Sequence, residues 1–222
     1  MGKTIELTAA DGHTFATYRA DPDGKPRGAI VVVQEIFGVN GHMRRVTDGF
    51  AAEGYVALSP ALFDRTKRGV ELGYDPAAIA AGRELRGAVG DDGPLADIQA
   101  TIDLAAQDGK AAVIGYCWGG TLAYLAATRL KGISCAVGYY GGGIAAAAHE
   151  KTRVPVMLHF GDSDQSIPLN DVEKVRAAHP EITIHLYKAG HGFNCDERGS
   201  HDAASAKVAR KRTLGFLREH IG

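Results

Sequence analysis

One cysteine stands among glycines in the run GYCWGG (115–120), after an apolar stretch and before an Ala/Leu-rich one. G-x-nucleophile-x-G between a strand and a helix has the form of a nucleophile elbow. Its turn is so sharp that side chains at 115 and 119 would collide, and the central residue is driven into a strained conformation. Cys117 would then lie at the N-terminus of the following helix, where the dipole and the free N–H groups stabilise a thiolate. A structural cysteine beside a tight turn is the competing reading of these six residues, so the partners decide.

A thiol nucleophile needs a base, and the base needs a group to orient it. GDSDQSIP (161–168) offers Asp162 and Asp164, either of which could instead be a turn or cap residue. KAGHGFN (188–194) offers His191 between glycines. The order Cys117, then an aspartate, then His191 is the chain order of an α/β-hydrolase triad. QEIFGVN (34–40) adds Glu35, directly after the most apolar strand of the chain. A carboxylate at the end of such a strand needs a partner, and the thiol or the histidine is a candidate. The backbone N–H groups of Ile36 and Trp118 occupy the places where this fold supplies oxyanion-hole donors. His159 lies inside an apolar strand and reads as a core histidine.

These residues need a frame to bring them together. TIELTA and HTFATYRA alternate apolar and polar residues around the turn ADG and read as an antiparallel hairpin. AIVVV (29–33) is a β-branched run of the kind found in parallel strands buried on both faces. Strand and helix patterns then alternate to the end of the chain, with Gly54 read as the C-cap of the helix HMRRVTDGFAAEG. The alternation predicts a mostly parallel sheet with helices on both faces and the hairpin at one edge. Residues 61–92 form an irregular excursion, with a helix from Pro76 past Arg86, and such an excursion often covers a site. Ligands of these sheets sit at the carboxyl ends of the strands. QEIFGVN, SPALFDRT, GYCWGG, YYGGG, GDSDQSIP and KAGHGFN all follow predicted strands.

Composition narrows the classes. The 222 residues suit one α/β domain, read here as 1–222 without a dividing linker. A formal net charge of −1 leaves no basic field for nucleic acid. The polar start does not read as a signal peptide, and no apolar run reaches the ~18 residues of a membrane span. Position 6 is Glu where a myristoylation signal wants Ser or Thr. Three cysteines without a C-x-x-C pair predict reduced thiols in a cytoplasmic protein, and no His/Cys spacing suggests zinc.

QEIFGVN, GYCWGG, GYYG, the G-x-x-D of HFGDSD, AGHGF and DGHTF together resemble the dienelactone hydrolase (carboxymethylenebutenolidase) family, from about residue 10 to the C-terminus. The resemblance implies an α/β-hydrolase fold and hydrolysis of enol-lactones from aromatic degradation, in the cytoplasm and without cofactor or metal. The partner implied is a small-molecule lactone or ester, with the protein a monomer or small homo-oligomer. It implies Cys117 as nucleophile, His191 as base, Asp164 rather than Asp162 as the acid, and Glu35 as the partner that holds a neutral thiol until substrate arrives. Selective relatives grip a substrate carboxylate with an arginine four residues after the histidine and another in the excursion. Here position 195 is cysteine, and Arg198 lies three further on. Arg83 and Arg86 lie in the excursion. A weakened grip and an altered substrate range are therefore expected, with Arg83, Arg86 and Arg198 as the substrate-binding candidates; the alternative is that Arg198 or Arg83 swings in and restores the grip. Two rival readings fit less well. Amidotransferase-like folds with a cysteine elbow place an H-x-E motif that is missing after Cys117, and a non-catalytic redox-sensing domain would have lost a triad member.

Overall fold

The computed structural model describes residues 2–222. Eight strands form one sheet in the order β1-β2-β4-β3-β5-β6-β7-β8. β1 (Lys3–Thr8) and β2 (Thr14–Ala20) form the expected hairpin, and β2 also runs antiparallel to β4 (Val56–Pro60). The remaining pairings, through β3 (Ala29–Val33), β5 (Ala111–Tyr116), β6 (Ile133–Tyr139), β7 (Val156–Gly161) and β8 (Thr183–Tyr187), are parallel. β3 is fully buried along its length, as AIVVV predicts for a strand covered on both faces.

Six α-helices flank the sheet: α1 (Gly41–Ala51), α2 (Pro76–Val89), α3 (Asp92–Ala105), α4 (Trp118–Arg129), α5 (Leu169–Ala178) and α6 (Ala203–His220). Asn40 caps α1 and Asp75 caps α2, each side chain accepting from the N–H three residues on. The C-terminus of α1 departs from expectation. Ala52 is its C-cap, and Gly54 lies beyond, at φ +96°, in the turn into β4. The chain leaves the helix before reaching its glycine, and Gly54 N–H bonds back to the Ala51 carbonyl.

β3 is joined to β4 on one side and pairs with β5 on the other, so the strand order reverses there. The loops after β3 and β5 diverge at this point and leave a crevice at the carboxyl ends of the strands. Glu35 and Ile36 follow β3, and Cys117 follows β5.

Candidate active site

Glycine makes the elbow after β5 possible. A Cβ on Gly115 would run into the Gly119 carbonyl, and one on Gly119 would run into the carbonyls of Val33 and Gln34. With both absent, α4 starts directly over the end of β3. Cys117 itself is held at φ 55°, ψ −118°, outside the regions open to ordinary residues at low cost. Its N–H bonds to the Tyr139 carbonyl at the end of β6. The half-buried sulfur borders a cavity of about 580 Å³.

His191 and Asp164 reach this sulfur from the ends of β8 and β7. His191 Nε2 lies 3.1 Å from Cys117 Sγ, and His191 Nδ1 lies 2.8 Å from Asp164 Oδ2. The other Asp164 oxygen accepts from the Ser166 N–H at 2.8 Å. Asp162 stays outside: it is exposed, and its carboxylate accepts from the Ser163 hydroxyl. Burial favours the neutral imidazole of His191. Hydrogen bonds to Asp164 and Cys117, with the charges of both, outweigh it and raise the histidine to about 10. The arrangement suits an imidazolium facing a thiolate, with a carboxylate fixing the ring behind it.

Ile36 and Trp118, whose amides are the ones named for an oxyanion hole, both line the cavity. Trp118 is the first residue of α4, so its N–H has no acceptor within the helix. Its indole is fixed by stacking on Phe63, with centroids 5.4 Å apart, and by donating to Asp91 Oδ1 at 2.9 Å.

Glu35 and the Cys117 sulfur share no hydrogen bond in this structure. The glutamate is buried, neither carboxylate oxygen makes a hydrogen bond, and its near neighbour is Arg198 Nη1 at 3.5 Å. The thiol faces His191 instead. Arg198 also departs from expectation. The three-residue offset in sequence implies a weakened grip unless the side chain swings in, and here it lines the cavity with its guanidinium over the Phe37 ring, 5.2 Å from the centroid. The turn after His191 returns the chain: Cys195 N–H bonds to the Gly192 carbonyl and Arg198 N–H to the Cys195 carbonyl. Gly192 leaves the space into which the Arg198 side chain folds. This loop is pinned to α1 through His42 and Asp196 at 2.9 Å and through Arg45 and Glu197 at 2.5 Å.

Arg83 and Arg86 line the same cavity from α2, as does Tyr74 from the stretch before it. With Ile79, these are the lining residues drawn from 61–92. Gly82 lets α2 press against the Ile36 carbonyl. Sequence reasoning left out Tyr74, Tyr140 and the pairing of Asp91 with Trp118. Tyr140 lay within a loop already marked as following a strand, YYGGG. A second Cys–His–Asp grouping, Cys195, His42 and Asp196, has its polar atoms within 4.8 Å of one another. Its sulfur is fully buried and raised to about 11, first by burial and then by the charge of Glu35, which makes it a poor nucleophile. Cys135 is likewise raised, to about 12, by burial in β6.

The comparisons with known proteins agree with one another. The Dienelactone hydrolase family model matches residues 15–221. A carboxymethylenebutenolidase of Pseudomonas putida is 33% identical over 96% of this chain and 94% of its own length. Another, from Pseudomonas sp. strain P51, is 35% identical with the same coverage of both chains. A Klebsiella pneumoniae crystal structure, described provisionally as a dienelactone hydrolase, superposes with a TM-score of 0.85 at 30% identity, covering 99% of this chain and 100% of that one. A dienelactone hydrolase-like promiscuous phosphotriesterase from metagenomic libraries, at 19% identity and a TM-score of 0.77, shares the fold. Among the described residues no helix is long and apolar enough to cross a membrane. The chain belongs to the dienelactone hydrolase family and is a carboxymethylenebutenolidase-like carboxylic ester hydrolase.

Proposed function

We propose that this enzyme hydrolyses a lactone or related ester through a Cys117–His191–Asp164 triad and an acyl-enzyme. The observation that carries the reading is the unbroken line of contacts from Asp164 Oδ2 through both ring nitrogens of His191 to Cys117 Sγ, at 2.8 and 3.1 Å. With the thiol proton already resting on His191, the Cys117 thiolate attacks the ester carbonyl. The carbonyl oxygen takes the negative charge against the N–H groups of Ile36 and Trp118. The C–O bond of the ester then breaks, and the departing oxygen, an enolate in an enol-lactone, takes the proton from His191. Neutral His191 next draws a proton from water, whose oxygen attacks the thioester. Cys117 leaves as thiolate and the acid product is released.

Arg198, Arg83 and Arg86 place three guanidiniums on a cavity wall that carries no carboxylate side chain. This favours a substrate with a free carboxylate, gripped by Arg198 with help from α2. Glu35 is the counter-ion that Arg198 would leave in order to take it. We read residues 1–222 as one α/β-hydrolase domain with residues 61–92 laid over the cavity. The setting this implies is a cytoplasmic enzyme of aromatic degradation, a monomer or small homo-oligomer that acts on small molecules rather than nucleic acid. The free state of all three cysteines favours a reducing compartment.

The test is a panel of dienelactones and aryl esters against wild type, Cys117→Ala and Cys135→Ala, with mass spectrometry of the acylated protein. Cys117→Ala should lose turnover and the acyl adduct. Cys135→Ala should keep both, at a packing cost of about 1 kcal/mol. An active Cys117→Ala would end the mechanism. A free-acid dienelactone should be preferred over its methyl ester, and Arg198→Ala should remove that preference by about one to two decades in kcat/KM.

A further inference from the structure

Trp118 is the single tryptophan of the chain, and residues 61–92 grip its indole twice. Near the start of that segment Phe63, in the 3₁₀ turn Leu62–Arg65, lies on the indole face, 12° from parallel and 5.4 Å between centroids. At its end, Asp91 Oδ1 accepts from the indole Nε1 at 2.9 Å. Between the two grips run Tyr74 and α2, whose Ile79, Arg83 and Arg86 line the cavity. The segment bordering the site is therefore fastened at both ends to one side chain. That side chain belongs to the residue directly after Cys117.

The Asp91 contact is not a by-product of helix capping. Asp91 is the N-cap residue of α3, and its carbonyl accepts from the Leu95 N–H at 3.0 Å. An N-cap aspartate ordinarily turns its side chain back onto the N–H groups of its own helix. Asn40, Asp75 and Asp202 do so on α1, α2 and α6. Asp91 does not. Its backbone, at φ −112° and ψ −29°, is off the extended conformation of a cap, and its carboxylate goes to Trp118. α3 forgoes a side-chain cap, and the indole N–H of a residue only 3% exposed gains the acceptor that burial demands.

The Cys117–Trp118 peptide carries the N–H named for the oxyanion hole. Such a donor works only when it is aimed within about 2.7–3.1 Å of where the oxyanion will form. Fixing the indole by its face and its N–H leaves that peptide little room to turn. We infer that Asp91 is a positioning residue for the reaction: by holding the Trp118 indole it aims the Trp118 N–H at the developing oxyanion. This rests on the Cys117 acyl-enzyme proposed above.

The experiment compares Asp91→Ala, which removes the acceptor, with Asp91→Asn, which keeps an amide oxygen in its place. Deleting an oxyanion donor outright costs about 10²–10³ in kcat and misaiming one costs less, so Asp91→Ala should lower kcat by about tenfold. KM should stay within about twofold, because the interaction is made in the transition state alone. An aryl trifluoromethyl ketone adds Cys117 Sγ to its carbonyl carbon and leaves an oxyanion in the hole. Its affinity should fall by about the same tenfold. Benzoate, a carboxylate with no bond to cleave, should bind as before. Asp91→Asn should recover most of the loss. Fluorescence reads the indole directly, since there is no other tryptophan, and emission should change in Asp91→Ala and hold in Asp91→Asn. An unchanged kcat in Asp91→Ala overturns the inference, as does a loss confined to KM and benzoate binding, or an equal loss in Asp91→Asn. Should Asp91→Ala fail to fold, growth on 3-benzothienylalanine replaces the one tryptophan by a bicycle of similar shape without the N–H. The same fall in kcat is expected, and wild-type kcat in that enzyme is equally fatal. The two readings fail separately. An active Cys117→Ala removes the acyl-enzyme, whereas an inactive Cys117→Ala beside a fully active Asp91→Ala removes only the role of Asp91.

Discussion

His159 and His191 are both held at their two ring nitrogens, and they do opposite things. His159, in β7, lies between the Tyr187 hydroxyl at 2.7 Å and Thr213 Oγ1 at 3.0 Å, and Thr213 is also bonded to the Tyr139 hydroxyl at 2.6 Å. All of its partners are neutral. Burial, with His185 and Arg212 nearby, holds it well below the usual histidine pKa. His191 has a carboxylate on one side and a thiol on the other, and it is raised to about 10 despite its own burial. The chemistry of the partners, rather than depth in the fold, separates a histidine that fastens α6 to the sheet from one that can carry a proton to and from a reacting atom.

The hardest blow to this contrast is to make the partners of His191 neutral. Asp164→Asn keeps the shape and removes the charge, and should lower kcat by about two to four orders of magnitude through loss of the correct tautomer and of imidazolium stabilisation. Thermal unfolding should change little. Asp162→Asn is the control and should stay near wild type in both. Equal losses in the two variants would break the assignment.

The middle-sized effect comes from the other histidine and has the opposite signature. Thr213→Val leaves His159 and the Tyr139 hydroxyl each short of a buried partner. It should cost about 1–3 kcal/mol, or about 2–4 °C in Tm for each kcal/mol in a chain of this size. The kcat/KM of the folded enzyme should hold within about twofold, because an interaction remote from the reacting atoms leaves the barrier almost unchanged. A large fall in kcat with no loss of Tm would mean that the Tyr139–Thr213–His159–Tyr187 chain serves the chemistry.

The smallest effect sharpens the comparison most, because the two histidines should bend the stability curve in opposite directions. The folded His191 keeps a proton that the unfolded chain loses. Its contribution is fully present below pH 6.5, the ordinary value, and is lost as pH rises through about 10. His159 refuses a proton that the unfolded chain accepts, so it lowers stability as pH falls below 6.5. Urea unfolding across this range should show the alkaline decline weakened in Cys117→Ala, which removes two of the influences that raise His191. The acid decline should be weakened in His159→Phe. Parallel curves for the two variants would erase the distinction.

Much of this was legible in the sequence because it is local. Alternation of strand and helix patterns gave the sheet, GYCWGG gave the elbow, and the loops after β7 and β8 supplied Asp164 and His191 in the order the topology demands. What was hidden depends on return paths and side-chain direction. Arg198 is only a weak candidate in the sequence because counting from His191 assumes an extended chain, whereas the turn at 192–198 folds back. His159 was correctly placed in the core, but its partner Thr213 lies 54 residues away on α6. The Tyr140 hydroxyl is set by a positive φ that carries no sequence signature in a tyrosine. Glu35 was recognised as needing a partner, yet only packing could select Arg198 over Cys117.

The carboxylate-free wall of the cavity, with Arg83, Arg86 and Arg198, has a consequence for the end of the catalytic cycle. Ester hydrolysis turns an uncharged group into a carboxylate, so the product leaves with one more negative charge than the substrate brought. On the arginine grip proposed above, guanidiniums that draw an anionic substrate in would hold its product more tightly still. Product release is then the step most exposed to that hold. Added salt screens that hold over a Debye length of about 8–10 Å at physiological ionic strength. It would thus trade a weaker capture for a faster exit, and that grip predicts a throughput that passes through a maximum as ionic strength rises.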